Sequence, residues 1–178
     1  MPNRPAPAPP EALDALFAAA EVRRPQDSLG FLMWQVTHAW QRQLEEKLEP
    51  VGLTHLQFVV LISTAWHMHL RKPASQAALA RWTRIHPMQI SQVVKLLLAK
   101  RLLLRERMPN DRRAHLLSLS EEGLKQLSIA VPVAHQTQHL FFDAGGGTEH
   151  ALKTLLARLF ENLAAPAEFS ETAVAAIS

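Results

Sequence analysis

Two glutamines and a pair of arginines carry the chemistry for which this sequence can be read. Gln89 and Gln92 lie in "PMQISQVVKLLLAK", where their spacing puts both on one face of a helix. A carboxamide can bond an adenine edge with two hydrogen bonds, so a helix presenting Gln89 and Gln92 near its N-terminal half is equipped to read a DNA major groove. Met88 shares that face, and Ser91 and Lys95 beside it suit sugar or phosphate. Arg112 and Arg113 fall in "RMPNDRRAHLLSLSEEG". Apolar residues alternate there as in a strand, and Pro109-Asn110-Asp111 supply a turn. A hairpin does not need adjacent arginines at its tip. Arg113 fits a narrow minor groove, where negative potential is enhanced, and Asp111 is spaced to orient it by a charge-assisted hydrogen bond. Arg112 would then meet phosphate, and Ser75 and Arg107 complete the expected DNA-contact set.

The charge distribution agrees. The chain of 178 residues has a net charge of +3, but Arg71 to Arg113 holds eleven Lys and Arg against two acids, Glu106 and Asp111. That window is +9 and the remainder −6. A basic middle between acidic flanks is the footprint of a polyanion-binding surface.

The elements that must position these residues follow from periodicity. Residues 11–24 are good helix formers ending before Pro25. The next helix is capped by Asp27 or Ser28, carries Leu32, Val36, Trp40, Leu44 and Leu48 at helical spacing, and stops at Pro50 and Gly52. Thr54 caps another. Ser75 caps a short helix, and a tight turn leads to a longer one with Pro87 in its first turn. Ile90, Val93, Val94 and Leu97 form that helix's buried side. The period then changes to two for "LLRERM" and "AHLLSLS". Helix returns after Ser120, with a kink expected at Pro132, and "AGGGT" separates it from a last amphipathic helix bearing Leu152, Leu155, Leu156 and Leu159.

The expected fold class is mainly α with a small β hairpin. It comprises a winged helix-turn-helix lobe and a helical dimerisation region built from both chain ends. The expected divisions are 1–10, a disordered leader; 11–53, N-terminal helices; 54–119, the DNA-binding lobe; 120–165, C-terminal helices; and 166–178, a tail.

These stretches resemble the MarR (multiple antibiotic resistance regulator) family. The similarity lies in "EPVGLTHLQFVVLIST", "SQAALARWTRIHPMQISQVVKLLLAKRLLLRERMPNDRRAHLLSLSEEG" and "ALKTLLARLFENL", within roughly residues 28–163. The Asp-x-Arg wing followed by Leu-Ser-Leu-Ser-x-x-Gly is its most specific part. The resemblance implies a homodimer intertwined through its first and last helices, binding a pseudo-palindromic double-stranded operator. It also implies a transcriptional repressor released by a small aromatic or phenolic effector. The chain departs from the family in having Arg101 where glycine is usual, and Leu96 and Leu98 where charge is usual.

An effector pocket between the two regions would draw on Trp34, His38, Phe58, Ile62 and Trp66. Some relatives sense zinc, and His135/His139 and His67/His69 are the pairs to consider, although no third ligand is tied to either by sequence. The expectation is no metal and no cofactor. With zero cysteines, thiolate ligands, disulfides and cysteine redox sensing are excluded. "AGGGT" lacks the strand and lysine of a phosphate loop, and no catalytic spacing is recognisable, so the reading is not an enzyme. Without an apolar run of spanning length, no membrane partner is expected and the location is read as cytoplasmic. The alternatives are a zinc-responsive regulator or a winged-helix module for protein–protein interaction.

Overall fold

The computed structural model describes residues 7–20, 24–108, 111–143 and 146–164. Helix α1 (Pro10–Ala19) starts with a proline at its first position and contributes no buried residue. It ends five residues short of the Arg24 expected from helix propensity. Arg24 instead opens a 3-10 turn, Pro25–Asp27, and its guanidinium bonds Asp27 at 3.0 Å. That occupies Asp27, so Ser28 is the residue that caps α2 (Leu29–Leu48), accepting from the Phe31 N–H. The expected apolar stripe divides in two. Leu44 and Leu48 are buried and Trp40 packs on the core, whereas Leu32 and Val36 stay exposed. Gly52, in the left-handed region at φ 72°, turns the chain after α2.

Helix α3 (His55–His69) begins with a reciprocal cap between Thr54 and Gln57. It is buried along Val60, Leu61, Ser63, Thr64 and His67. Helices α4 (Gln76–Thr83) and α5 (Pro87–Ala99) follow. Strands β1 (Leu103–Met108) and β2 (Asp111–Leu119) pair antiparallel, and the Leu117 N–H donates to the Ala74 carbonyl at 2.7 Å, tying the hairpin to the start of α4. Helix α6 (Glu121–Phe142) runs without a break through Pro132 and packs along α2. Helix α7 (Thr148–Ala164) follows an elbow whose Gly146 and Gly147 both have positive φ.

One core serves the whole lobe. Leu44 and Leu48 of α2, Val60 and Leu61 of α3, Leu79, Ile90, Val94, Leu97, Leu103, Leu117 and Leu127 are all buried in it. The expected fold class, mainly helical with one hairpin, is the one observed.

Candidate nucleic-acid interface

Helix α5 divides cleanly by face. Ile90, Val93, Val94 and Leu97 are buried, at spacings of three and four, and fix its rotation on α3 and α4. Met88, Gln89, Ser91, Gln92, Lys95 and Leu96 are therefore turned outward, and all six are exposed. The N-terminus of α5 is set by the turn before it. α4 ends at Thr83, whose hydroxyl donates to the Leu79 carbonyl at 2.8 Å and accepts from the Ile85 N–H. Arg84 makes the corner in the left-handed region, at φ 58°. His86, which the sequence reading overlooked, caps α5 by accepting from the Met88 N–H through Nδ1 at 3.3 Å. An imidazole is not a common cap, so its type gave no signal. Ser75 spends its hydroxyl oxygen as the cap of α4, accepting from the Ala78 N–H at 3.1 Å, and is half-buried.

The C-terminus of α5 is closed by two backbone bonds: Leu102 N–H to the Leu97 carbonyl, and Arg101 N–H to the Leu98 carbonyl. This double closure places Arg101 in the left-handed region at φ 58°. The start of α6 locks onto the same corner. Ser120 Oγ donates to the Arg101 carbonyl at 2.6 Å and accepts from the Gly123 N–H at 2.9 Å. A Cβ on Gly123 would lie 2.0 Å from the Leu102 carbonyl oxygen, so only glycine fits. The Ser-x-x-Gly pattern is the joint that docks the helix after the wing onto the end of α5.

In the wing, Leu103 faces Leu119 and the register holds to Arg107 opposite His115. The next pair is Met108 with Asp111, so residues 112–114 have no counterpart on β1 and bulge. Asp111 thus belongs to β2 instead of the turn. The turn residues Pro109 and Asn110, and the side chains of Asp111, Arg112 and Arg113, lie outside the described part. Arg107 is exposed. Arg71, Lys72, Arg81, Lys95, Arg105 and Arg107 are all exposed and form no ion pair among the described residues. Basic side chains without internal acids are free to displace counterions from a phosphate backbone.

No family model matches the chain. Over 131 residues it is 36% identical to YdcH of Bacillus subtilis (strain 168), an uncharacterized HTH-type transcriptional regulator, covering 74% of this chain and 89% of that one. It is 31% identical over 111 residues to the HTH-type transcriptional repressor NicR of Pseudomonas putida, covering 62% of this chain and 68% of the other. Among solved structures, a probable transcriptional regulator from Pseudomonas aeruginosa matches with a TM-score of 0.68 and 27% identity, over 76% of this chain and 99% of that one. A mutant of MarR from E. coli, complexed with operator DNA, matches with a TM-score of 0.65 and 22% identity, over 74% and 92%. The chain belongs to the MarR family. It is a DNA-binding transcriptional regulator by that membership, with a regulatory role and not an enzymatic one.

As a MarR-family chain it places its expected effector residues in separate surroundings. Trp34 and His38 meet with their rings tilted by 36° and 4.2 Å between centroids, and line an open groove of about 500 Å³ along α2, with Gln35, Arg42 and Glu46. Phe58 and Ile62 pack against the core. Trp66 is exposed and meets His69 edge-on. These five side chains are not gathered into one cavity, because the α3 stripe faces inward while the upper half of α2 stands clear of the lobe. Trp40, expected in the stripe of α2, was not expected among the effector residues. Its ring lies 5.5 Å from His55 and 6.0 Å from Phe142, and its indole N–H is buried with no acceptor among the described residues. Burial lowers the pKa of His55, partly offset by Glu45.

The first histidine pair, His67 and His69, is separated. His67 is buried, bonded to the Ser63 carbonyl at 2.8 Å and edge-on to Trp82, while His69 is exposed. Residues two apart on a helix face different ways. His139 meets Glu149 at 3.0 Å and lies 4.0 Å from Asp143. Among the described residues no group of three or more His, Asp or Glu is placed to hold a metal ion. No single helix among them is long and apolar enough to cross a membrane.

Proposed function

We propose that this MarR-family chain is an operator-binding homodimer that represses transcription and releases DNA when it binds a small aromatic molecule. The outward face of α5 carries the reading: Gln89 and Gln92 are exposed on a helix whose opposite side is locked into the core. In this reading Gln89 and Gln92 contact base edges, with Met88 beside them. Ser91, Lys95, Ser75 and Arg112 meet sugar or phosphate. Arg113, held by Asp111, enters the minor groove, with Arg107 at its flank. Residues 11–53 and 120–165 form the dimerisation region and 54–119 the reading lobe.

The repressor role is supported by the name of the relative NicR, and the operator by the DNA-bound MarR structure. For the effector, CouR from Rhodococcus jostii, a fold likeness at 23% identity, was solved with p-coumaroyl-CoA. The buried indole N–H of Trp40, between the rings of His55 and Phe142, suits an aromatic ligand that brings its own acceptor. The aromatic pair Trp34 and His38 is the second candidate for that contact.

Selection of bound duplexes from a random pool, repeated with aromatic acids present, tests this. A pseudo-palindromic sequence should be enriched and lost on adding effector. Gln89→Ala and Gln92→Ala should each change preference at defined positions by about 1–3 kcal/mol. Arg113→Ala should weaken binding with little change in melting temperature. A pool with no enriched sequence would overturn the proposal.

A further inference from the structure

We infer that Lys100 is a positioning residue: it does not face DNA but fixes helix α5 to the joint between α2 and α3, setting the angle at which the dimer presents its reading heads. The inference rests on the operator-dimer reading above.

Lys100 belongs to the basic window from Arg71 to Arg113, and a charge count treats it as part of the DNA-binding surface. Its geometry removes it from that surface. Five residues separate it from Lys95, which turns the two about 140° apart around the helix axis. It is also the C-cap of α5 and lies roughly 18 Å along the axis from Met88. Its Nζ donates to the Gly52 carbonyl at 2.8 Å and to Gln57 Oε1 at 3.0 Å. Gln57 is buried, and its side chain is held by the reciprocal cap with Thr54. Gly52 is the left-handed residue that turns α2 into α3.

The acceptors explain why a charged donor sits there. Gly52 closes the 3-10 turn Glu49–Val51 that extends α2, so its carbonyl lies beyond any helical partner, and Gln57 Oε1 is buried beside the cap of α3. An ammonium satisfies two acceptors at once through charge-assisted bonds. A second side chain serves the same joint from another direction: Gln126 of α6 donates to the Val51 carbonyl. The joint after α2 is therefore pinned from α5 by Lys100 and from α6 by Gln126.

That joint links α2, assigned to the dimer, to α3, the first helix of the reading lobe, and Lys100 ties the groove helix α5 to it. Two reading heads must sit about one turn of DNA apart, so a change of tilt at each joint changes the spacing between them. Removing Lys100 leaves the lobe's apolar core intact but loosens the tilt.

The chain has no cysteine, so a single one introduced at the exposed Leu96 carries one nitroxide per protomer. The Leu96→Cys dimer, without DNA, should give a defined distance between labels, and adding Lys100→Met should broaden it. On operators with one base pair inserted or removed at the centre, the unlabelled parent should discriminate sharply. Lys100→Met should lose about tenfold of that discrimination. Its plot of log affinity against log salt should keep the parent slope, whereas Lys95→Met should lower the slope by about 0.9. Lys100→Arg, which keeps two donors, should behave like the parent. If Lys100→Met does not fold, Gln126→Leu removes the other link and is read by the same measurements. A slope lowered by about 0.9 for Lys100→Met makes Lys100 a phosphate contact and overturns the inference. Unchanged label distances and spacing discrimination overturn it too. Failure of the parent to select any operator sinks the operator reading instead, and the label distances still decide the role of Lys100.

Discussion

At the scale of the residue, three arginines hold the backbone in a conformation that L-residues disfavour. Arg71, Arg84 and Arg101 are the positive-φ residues other than glycine among the described residues, at φ 54–58°. The left-handed region costs such a residue about 1–2 kcal/mol, and glycine avoids that cost at some expense in chain entropy. Arg101→Gly should therefore stabilise the protein by about 0.5–1 kcal/mol, raising the melting temperature by roughly 2–3 °C. Arg84→Gly should not show the same gain, because its guanidinium lies 5.5 Å over the ring of Phe160 on α7. Thermal melts of the two variants decide the point; a lower melting temperature for Arg101→Gly would sink the strain argument. The departure from the family's usual glycine was visible in the sequence. That the backbone keeps the glycine conformation regardless was not, because a residue type does not report its own φ.

Elements were legible where a periodic face meets one neighbour. The spacing of Ile90, Val93, Val94 and Leu97 fixed both the buried side of α5 and, by subtraction, the exposure of Gln89 and Gln92. The wing's strands were legible from alternation, but its bulge was not, since pairing depends on both strands. Charge counting could not separate Lys95 from Lys100, which lie on different sides of one helix. The joint at Gly123 gives a sharp test. A Cβ there meets backbone, not a movable side chain, so Gly123→Ala should cost about 2–3 kcal/mol in urea unfolding. A cost under about 0.5 kcal/mol would contradict the docking of α6 on Leu102.

The elbow between α6 and α7 is an element of another kind, held by charge. The hydrogen bond that His139 donates to Glu149 raises the pKa of His139 above its ordinary 6.5, with Asp143 adding to the effect. Bonds from Gln138 and then His139 lower that of Glu149 below 4.5, and His135 contributes at longer range. The His139 contribution is complete below pH 6.5 and fades as pH rises through the raised value. The Glu149 contribution is complete above pH 4.5 and fades as pH falls through the lowered one. Attachment of α7 should be tightest between those limits. Hydrogen exchange across residues 148–160, corrected for intrinsic rates, should show more protection at pH 6 than at pH 8. His139→Gln should flatten the difference, and an unchanged profile in that variant would remove the clasp.

At the scale of the whole molecule, the longest runs of exposed apolar residues lie on the helices of the chain ends, although Trp66, Trp82, Met88 and Leu96 are exposed on the lobe as well. Leu13, Leu16 and Phe17 of α1, Leu29 to Val36 along α2, and Leu155, Leu156, Leu159 and Phe160 of α7 are exposed. None belongs to the cluster that holds α3, α4, α5 and the hairpin together. Exposed apolar area on this scale marks an interface, and the helices that carry it are those from the two chain ends. A 19.9 kDa chain should thus scatter light as a particle of about twice that mass at micromolar concentration. Leu159→Glu places a charge where two copies would meet, and a buried unpaired charge costs more than the apolar contact it replaces. The variant should scatter as one chain. Its lobe should stay folded, because Leu159 takes no part in the core. Operator binding should fall by orders of magnitude, since a monomer engages one half-site and forfeits the effective concentration of the second. Retained dimer mass in Leu159→Glu would place the interface elsewhere. Lost mass with undiminished operator affinity would mean that one reading head suffices, and the link between symmetry and recognition would fall with it.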